Sequence, residues 1–136
     1  MKILSKICCM ISTSTSQRFD FQKLEVYKKA KTFHVECNAI LRACKNQRHV
    51  KDQLARASYS IVLNIAEGSG RMSPNDRRHF FTMARASIFE CVAIFDIMLL
   101  ENQIDSQQHE KQIQVSIELS KMLFAMVRNL SEKIRA

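Results

Sequence analysis

Two glycines and one proline are the only strong backbone breakers in this chain of 136 residues, and all three fall between Gly68 and Pro74. A sandwich or barrel needs a turn about every 8–12 residues, and glycine and proline supply most of the special dihedrals those turns use. The chain is therefore predicted to be long helices with few connections. The stretch holding the breakers, NIAEGSGRMSP at 64–74, has two readings. A glycine-rich loop could close its amides on a phosphate, or the segment could be a hinge between two helices. A Walker-type loop ends in Gly-Lys-Ser/Thr after a strand, and a dinucleotide fingerprint needs three glycines. Neither is present, which leaves the hinge.

Four helical segments follow from apolar periodicity, and the length suits one domain. In the first, Phe19 and Leu24 flank Asp20 as a hydrophobic staple around an N-cap, and Val26, Ala30, Phe33, Cys37, Ile40 and Cys44 step by four and three until about Lys45 or Asn46. The second runs from about Gln47 to Glu67 on Val50, Leu54, Ala57, Ile61 and Ile65, with Gly68 or Gly70 expected as a left-handed C-cap. Ser73 suits the N-cap of the third, Pro74 its first position, and Asp76 could complete a capping box. The third continues to about Glu101. Asp105 or Ser106 caps the fourth, whose expected stripe is Ile113, Ile117, Ser120, Phe124, Val127 and Ile134. Similar lengths and short links give an all-α, antiparallel up-down four-helix bundle over residues 19–136. Residues 1–18 are expected to be a flexible N-terminal extension, or a stretch read from an upstream start codon ahead of the domain. Lys6 interrupts its apolar run and no small-residue cleavage site follows cleanly, so a cleaved signal peptide is not expected. No run of about 18 apolar residues exists, so no membrane is expected as a partner.

The third helix is too oily for one small bundle. From Phe80 to Leu100 only Thr82, Arg85, Ser87, Glu90 and Asp96 are polar, and Thr82, Arg85 and Asp96 share one narrow face. A helix that is apolar nearly all round must be covered nearly all round. On the second helix Tyr59 and Leu63 lie four apart, opposite Ile61. A homo-oligomer is therefore expected, with Tyr59 and Leu63 in its interface.

Other polar residues sit beside the apolar faces: Gln53, Arg56, Ser60, Asn64 and Glu67 on the second helix, Ser87 and Glu90 on the third. Buried amides and carboxylates are costly unless paired, so a hydrogen-bonded structural network joining helices or subunits is expected. An enzyme would use Glu67 and Glu90 as an acid/base pair with Asn64 and Arg71, but no accompanying pocket motif supports one, and no catalytic residue is assigned. No Glu-x-x-His pair of a di-iron bundle is present. His34 and Cys37 are three apart without a second pair, and the five cysteines show no Cys-x-x-Cys spacing. Packing rather than a metal is expected for them, and no cofactor. Reduced cysteines on apolar stripes favour the cytoplasm.

The run DQLARASYSIVLNIAEGSGRMSPNDRRHFFTMARASIFE, residues 52–90, closely resembles the signature of the four-helix bundle proteins encoded within intervening sequences of bacterial 23S ribosomal RNA genes. Gln53, Arg56, Ala57, Ser60, Ile61, Asn64, Ile65, Ala66, Glu67, Gly68, Arg71, Ser73, Phe80, Ala84, Ser87 and Glu90 stand where that pattern has them. FDFQKLEVYKKA, residues 19–30, is similar to the family's opening helix. The resemblance implies a ring-like homo-oligomer, pentameric in known relatives. It also implies kinship with accessory proteins of diversity-generating retroelements, which bind nucleic acid and a reverse transcriptase. Three departures stand out: Ala86 replaces the usual glycine, a Phe-Pro between the first two helices is missing, and the N-terminal extension is extra.

Charge gives an independent indication of function. Residues 23–85 hold thirteen Lys and Arg against five Asp and Glu, whereas residues 86–118 hold one against six, within a net charge of +8. Repeated around a ring, the basic excess would attract a polyanion such as RNA or DNA. The expected phosphate contacts are Lys28, Lys29, Lys31, Arg42, Lys45, Arg48 and Lys51, then Arg71, Arg77 and Arg78 around the hinge. With no Trp and most Phe expected on buried stripes, backbone attraction should dominate over base stacking. The alternative is a protein-interaction adaptor whose basic surface docks an acidic partner or a polymerase.

Overall fold

The computed structural model describes residues 18–45 and 48–136. They form four long helices, with no strand among the described residues: α1 (Glu25–Ala43), α2 (Arg48–Gly70), α3 (Pro74–Leu100) and α4 (Ser106–Arg135). A 3-10 turn, Asp20–Lys23, precedes α1. Cys8, Cys9 and all of the expected N-terminal extension except Arg18 lie outside the described residues. Each helix packs on its neighbours in sequence, and α1 also meets α4, which makes a four-helix bundle. Phe33 of α1 meets Phe95 of α3 edge-on across the centre, ring centroids 6.3 Å apart. Leu54, Ile61, Ile65, Phe81, Ile88, Leu119 and Leu123 complete the middle of the core.

The helix ends follow from local hydrogen-bond chemistry. Asp105 caps α4 with a reciprocal pair, the Gln108 amide donating to Asp105 Oδ1 at 2.7 Å and the Asp105 amide donating to Gln108 Oε1 at 3.1 Å. Ser73 caps α3 as expected, accepting from the Asp76 amide over a longer 3.4 Å. The end of α3 was not foreseen. Asn102 takes a left-handed φ of 55°. Gln103 N donates to Met98 O at 2.8 Å and Asn102 N to Leu99 O at 3.1 Å, the two bonds of a Schellman turn.

Three expectations are corrected. α1 starts later than the staple at Asp20 implied. Leu24 is extended and serves as its N-cap, while Phe19 stacks on Phe21 at 5.9 Å beside the preceding turn. Neither glycine is a left-handed cap: both lie inside α2, and no glycine has positive φ among the described residues. Gly68 is small for a different reason. A Cβ there would lie 2.8 Å from the Phe81 ring and 2.9 Å from the Phe80 Cβ, so its hydrogen is what lets α3 approach α2.

The third correction concerns α4. Its buried face is Gln112, Ser116, Leu119, Leu123 and Leu130. The expected stripe lies beside it, with Ile117, Phe124 and Ile134 exposed and Ile113, Ser120 and Val127 half-buried. Two polar core residues displaced the apolar pattern. Ser116 satisfies its hydroxyl on Gln112 O at 2.7 Å, and Gln112 Nε2 reaches Glu36 of α1 at 3.2 Å.

Cys37 and Cys91 are fully buried. Burial pushes the Cys91 thiol up to about 12, and the Cys37 thiol further still, so both behave as small hydrophobes.

The two glycines should respond oppositely to the same added methyl. Gly68→Ala is expected to destabilise the fold by about 1–3 kcal/mol, because the Phe81 ring and the α3 backbone behind Phe80 leave no room. Gly70 has no atom within 4 Å of a Cβ. Gly70→Ala should change stability by less than about 0.5 kcal/mol. Urea unfolding of the two variants measures the contrast.

Candidate functional site

The groove between α2 and α3 holds most of the expected polar residues. Ser87 Oγ donates to Ser60 Oγ at 3.0 Å, and Asn64 Nδ2 donates to Ser60 Oγ and to Ser60 O, each at 2.9 Å. One helical turn or more away Gln53 Nε2 donates to Glu90 Oε1. At the hinge end, Arg71 Nη2 reaches Glu67 Oε1 at 2.8 Å and its guanidinium lies 4.7 Å above the Phe80 ring. The network joins two helices of one chain, but it is a rim rather than a buried core. Only Asn64 is buried, Ser60 and Ser87 are half-buried, and Gln53, Glu67 and Glu90 are exposed. Arg56 is exposed and makes none of these bonds. Glu67 and Glu90 have separate partners.

Of the ten expected phosphate contacts, three are neutralised within the chain: Lys28 by Glu25 at 3.0 Å, Lys29 by Glu118 of α4, and Arg71 by Glu67. Lys31 instead stands 4.8 Å over the Tyr27 ring. Arg42, Lys45, Arg48 and Lys51 gather around the α1–α2 connection, none within 4.0 Å of a carboxylate among the described residues. Burial raises the nearby Cys44 thiol, and the charge of Lys51 partly offsets this. Cys44 Sγ donates to Gln103 O at 3.2 Å, which ties this basic end to the α3–α4 turn carrying Glu101 and Asp105. Arg77 and Arg78 lie in the first turns of α3. Arg77 is half-buried, and its Nε has no hydrogen-bond partner.

The flank shared by α3 and α4 was missed. Arg85 was expected on an outward polar face with Thr82 and Asp96. It is instead half-buried against α4, where its Nε donates to Ser120 Oγ at 3.1 Å. Its guanidinium lies 4.8 Å from the centre of the Phe89 ring and 5.3 Å from that of Phe124. Both rings are about half exposed, at 53% and 50%, whereas most Phe were expected on buried stripes and Phe124 was placed on one. Grooves beside them hold roughly 240 and 340 Å³, and Lys121 borders the second. The available signal was the four-residue spacing of Arg85 and Phe89, with Lys121, Phe124 and Arg128 recurring at three and four.

Apolar exposure runs on around α3. Met83, Ile97 and Leu100 are exposed, with Ala86 and Ala93 between them, and Tyr59 and Leu63 are exposed on α2. Ala86, which replaces a glycine of the resembled pattern, has no tight packing to disturb within the subunit. Tyr59 also lies 5.4 Å from His34 of α1, centroid to centroid.

His34 is held in a hydrogen-bonded cluster rather than free for a metal. Asn38 Nδ2 lies 3.1 Å from Nε2, and Nδ1 lies 2.8 Å from Ser58 Oγ, whose hydroxyl donates to Ala55 O at 3.2 Å. An amide that donates to Nε2 leaves the proton on Nδ1, so the cluster selects a neutral imidazole. Burial lowers the pKa of His34 in the same sense. Among the described residues, no three His, Cys, Asp or Glu side chains are grouped to hold a metal ion. No described helix is long and apolar enough to cross a membrane.

The sequence profile of a family described as "23S rRNA-intervening sequence protein" matches residues 22–125. No curated protein matches the chain. Among solved structures, the chain is similar to a protein of unknown function from the S23 ribosomal protein family of Bacteroides thetaiotaomicron. The two share 22% identity with a TM-score of 0.71, over 75% of this chain and 97% of that one. At that identity the likeness speaks for the fold.

The His34 cluster predicts a pH dependence. The folded chain holds the imidazole neutral, so below the ordinary histidine value of 6.5 the unfolded chain binds the proton more readily. The stability from this group is complete above 6.5 and is lost as the pH falls through and below that value. Urea midpoints measured from about pH 8 down to about pH 5 should fall less steeply for His34→Gln than for the parent. Equal slopes would mean that His34 does not contribute.

Proposed function

Because the chain belongs to the 23S rRNA-intervening sequence protein family, we propose that it is a non-enzymatic nucleic-acid-binding protein of the cytoplasm. Its antiparallel, up-and-down bundles associate into a ring and bind RNA, or DNA, through the phosphates. The observation that carries this reading is the unpaired charge. Seven of the ten expected phosphate contacts have no carboxylate partner among the described residues, within a net charge of +8. A cation without an intramolecular partner releases counterions when it meets a phosphate, and does not first have to break an ion pair.

Association of copies is supported by the exposed apolar surface. Met83, Ile97 and Leu100 of α3, with Leu100 at 81% exposure, and Tyr59 and Leu63 of α2 are too many for scattered surface hydrophobes. Contiguous apolar surface of this kind marks an interaction site. Copies brought together there would pool their charge, and their joint field would draw a polyanion more strongly than one bundle does.

Binding of a labelled RNA should weaken by on the order of a thousandfold between about 50 and 200 mM salt if six or more phosphates are contacted. Reversing Arg42, Lys45 and Arg48 to Glu together should weaken it further and flatten the salt slope. Affinity that is indifferent to salt counts against phosphate binding. A protein that purifies free of nucleic acid and ignores RNA at low salt would instead be an adaptor for an acidic protein. Native mass measurement tests the other half of the reading: a stable monomer at micromolar concentration is incompatible with a ring.

A further inference from the structure

We infer that the flank between α3 and α4 is a stacking site for unpaired bases of a single-stranded nucleic acid, with Phe89 and Phe124 taking bases and Arg85 and Lys121 the phosphate between them. This rests on the nucleic-acid-binding reading above and says where the bases go.

The argument starts from Arg85. A half-buried arginine with a purely structural task ordinarily meets a carboxylate, because desolvating a guanidinium is costly. Arg85 meets none within 4.0 Å among the described residues. One of its five N–H groups is spent on Ser120, and its guanidinium carbon lies beside two phenylalanine rings. Its two terminal nitrogens keep their donors, in the fork geometry that suits phosphate. The group is thus held in place before a ligand arrives, which lowers the entropy lost on binding.

The rings point to the same class of ligand. Phe89 and Phe124 each leave about half of their surface exposed while flanking a cation. An aromatic face beside a fixed positive charge is the arrangement by which single strands are held without sequence preference, since every base has a flat face and every nucleotide a phosphate. The charged residues lining these grooves are Arg85 and Lys121, and no carboxylate lines them. Two turns away along the same faces, at seven-residue spacing, Arg78 on α3 and Arg128 on α4 are exposed and unpaired with any carboxylate among the described residues. They extend the track of positive charge in both helices. A second copy of the chain is a poorer occupant, because covering this flank desolvates Arg85 and Lys121 unless that copy brings carboxylates to them. The apolar surface without such charges lies further round α3, toward α2, at Met83 and Ile97.

The experiment measures anisotropy of three probes: a single-stranded RNA of about 12 nucleotides, a duplex of the same sequence, and labelled inorganic polyphosphate. Phe89→Ala and Phe124→Ala change half-exposed rings, and circular dichroism checks that the bundle persists. Each should weaken single-strand binding roughly tenfold, the size of one lost base stack, while polyphosphate binding and the salt slope stay unchanged. Phe124→Trp should retain or strengthen single-strand binding, and Arg85→Gln should weaken single-strand and polyphosphate binding alike. If the parent binds RNA but both alanine variants bind it equally well, the stacking site is overturned and phosphate binding stands. If the parent binds neither RNA nor polyphosphate, the underlying reading fails and this one with it. If the alanine variants change the mass of the assembly without changing RNA affinity, the flank is a subunit contact and the inference is wrong.

Discussion

The approach of α3 to α2 over Gly68 is the contact on which the rest of the arrangement depends. A methyl group at that position would overlap the Phe81 ring and the Phe80 Cβ, so the hydrogen sets how closely α2 and α3 meet. That closeness lets the short side chains of Ser60 and Ser87 meet, and Gln53 reaches Glu90 along the same seam. It also fixes the rotation of α3. Once Phe81, Ala84, Ile88, Cys91, Phe95 and Met98 face inward, the remaining apolar residues of the helix have no place to go but the surface.

Those surplus residues divide into two sets with different neighbours. Toward α2 they adjoin a rim of hydrogen bonds whose carboxylates, Glu67 and Glu90, each have a partner, and toward α4 they adjoin an arginine and a lysine. The polarity of the neighbours decides what each set can accept. Apolar surface bordered by satisfied polar groups can be covered by another apolar surface at little electrostatic cost, whereas surface bordered by unpaired cations is covered cheaply only by something anionic. One over-supplied helix can therefore serve both self-association and ligand binding, on adjoining faces.

Much of the architecture was legible in the sequence because it rests on short-range chemistry. Breaker scarcity gave long helices with few connections, apolar periodicity gave their number, and Ser73, Pro74 and Asp105 marked helix starts through bonds that span three residues. What failed was non-local. The role of Gly68 depends on Phe81 in the next helix, so a conformational reason was assigned where a steric one applies. The α4 face was misread because Gln112 and Ser116 occupy core positions while Ile117 and Phe124 do not, and a stripe drawn through the most apolar residues follows the exposed edge. Of the site residues, the polar pairs across α2 and α3 were foreseen as a set. The α3–α4 flank was not, since Arg85 had been placed with the solvent-facing charges. Which cations are free was legible only in part: Lys28 with Glu25 and Arg71 with Glu67 are three and four apart, whereas Lys29 with Glu118 joins residues far apart in the chain.

The two sealed thiols give the bundle a built-in chemical clock. With Cys37 on α1 and Cys91 on α3 both at 0% exposure and strongly disfavoured as thiolates, an alkylating reagent can reach either only when the helices part. Their modification rates would therefore count how often each half of the interior breathes. A copy locked among others, or gripping a strand along its flank, would tick more slowly than a solitary one.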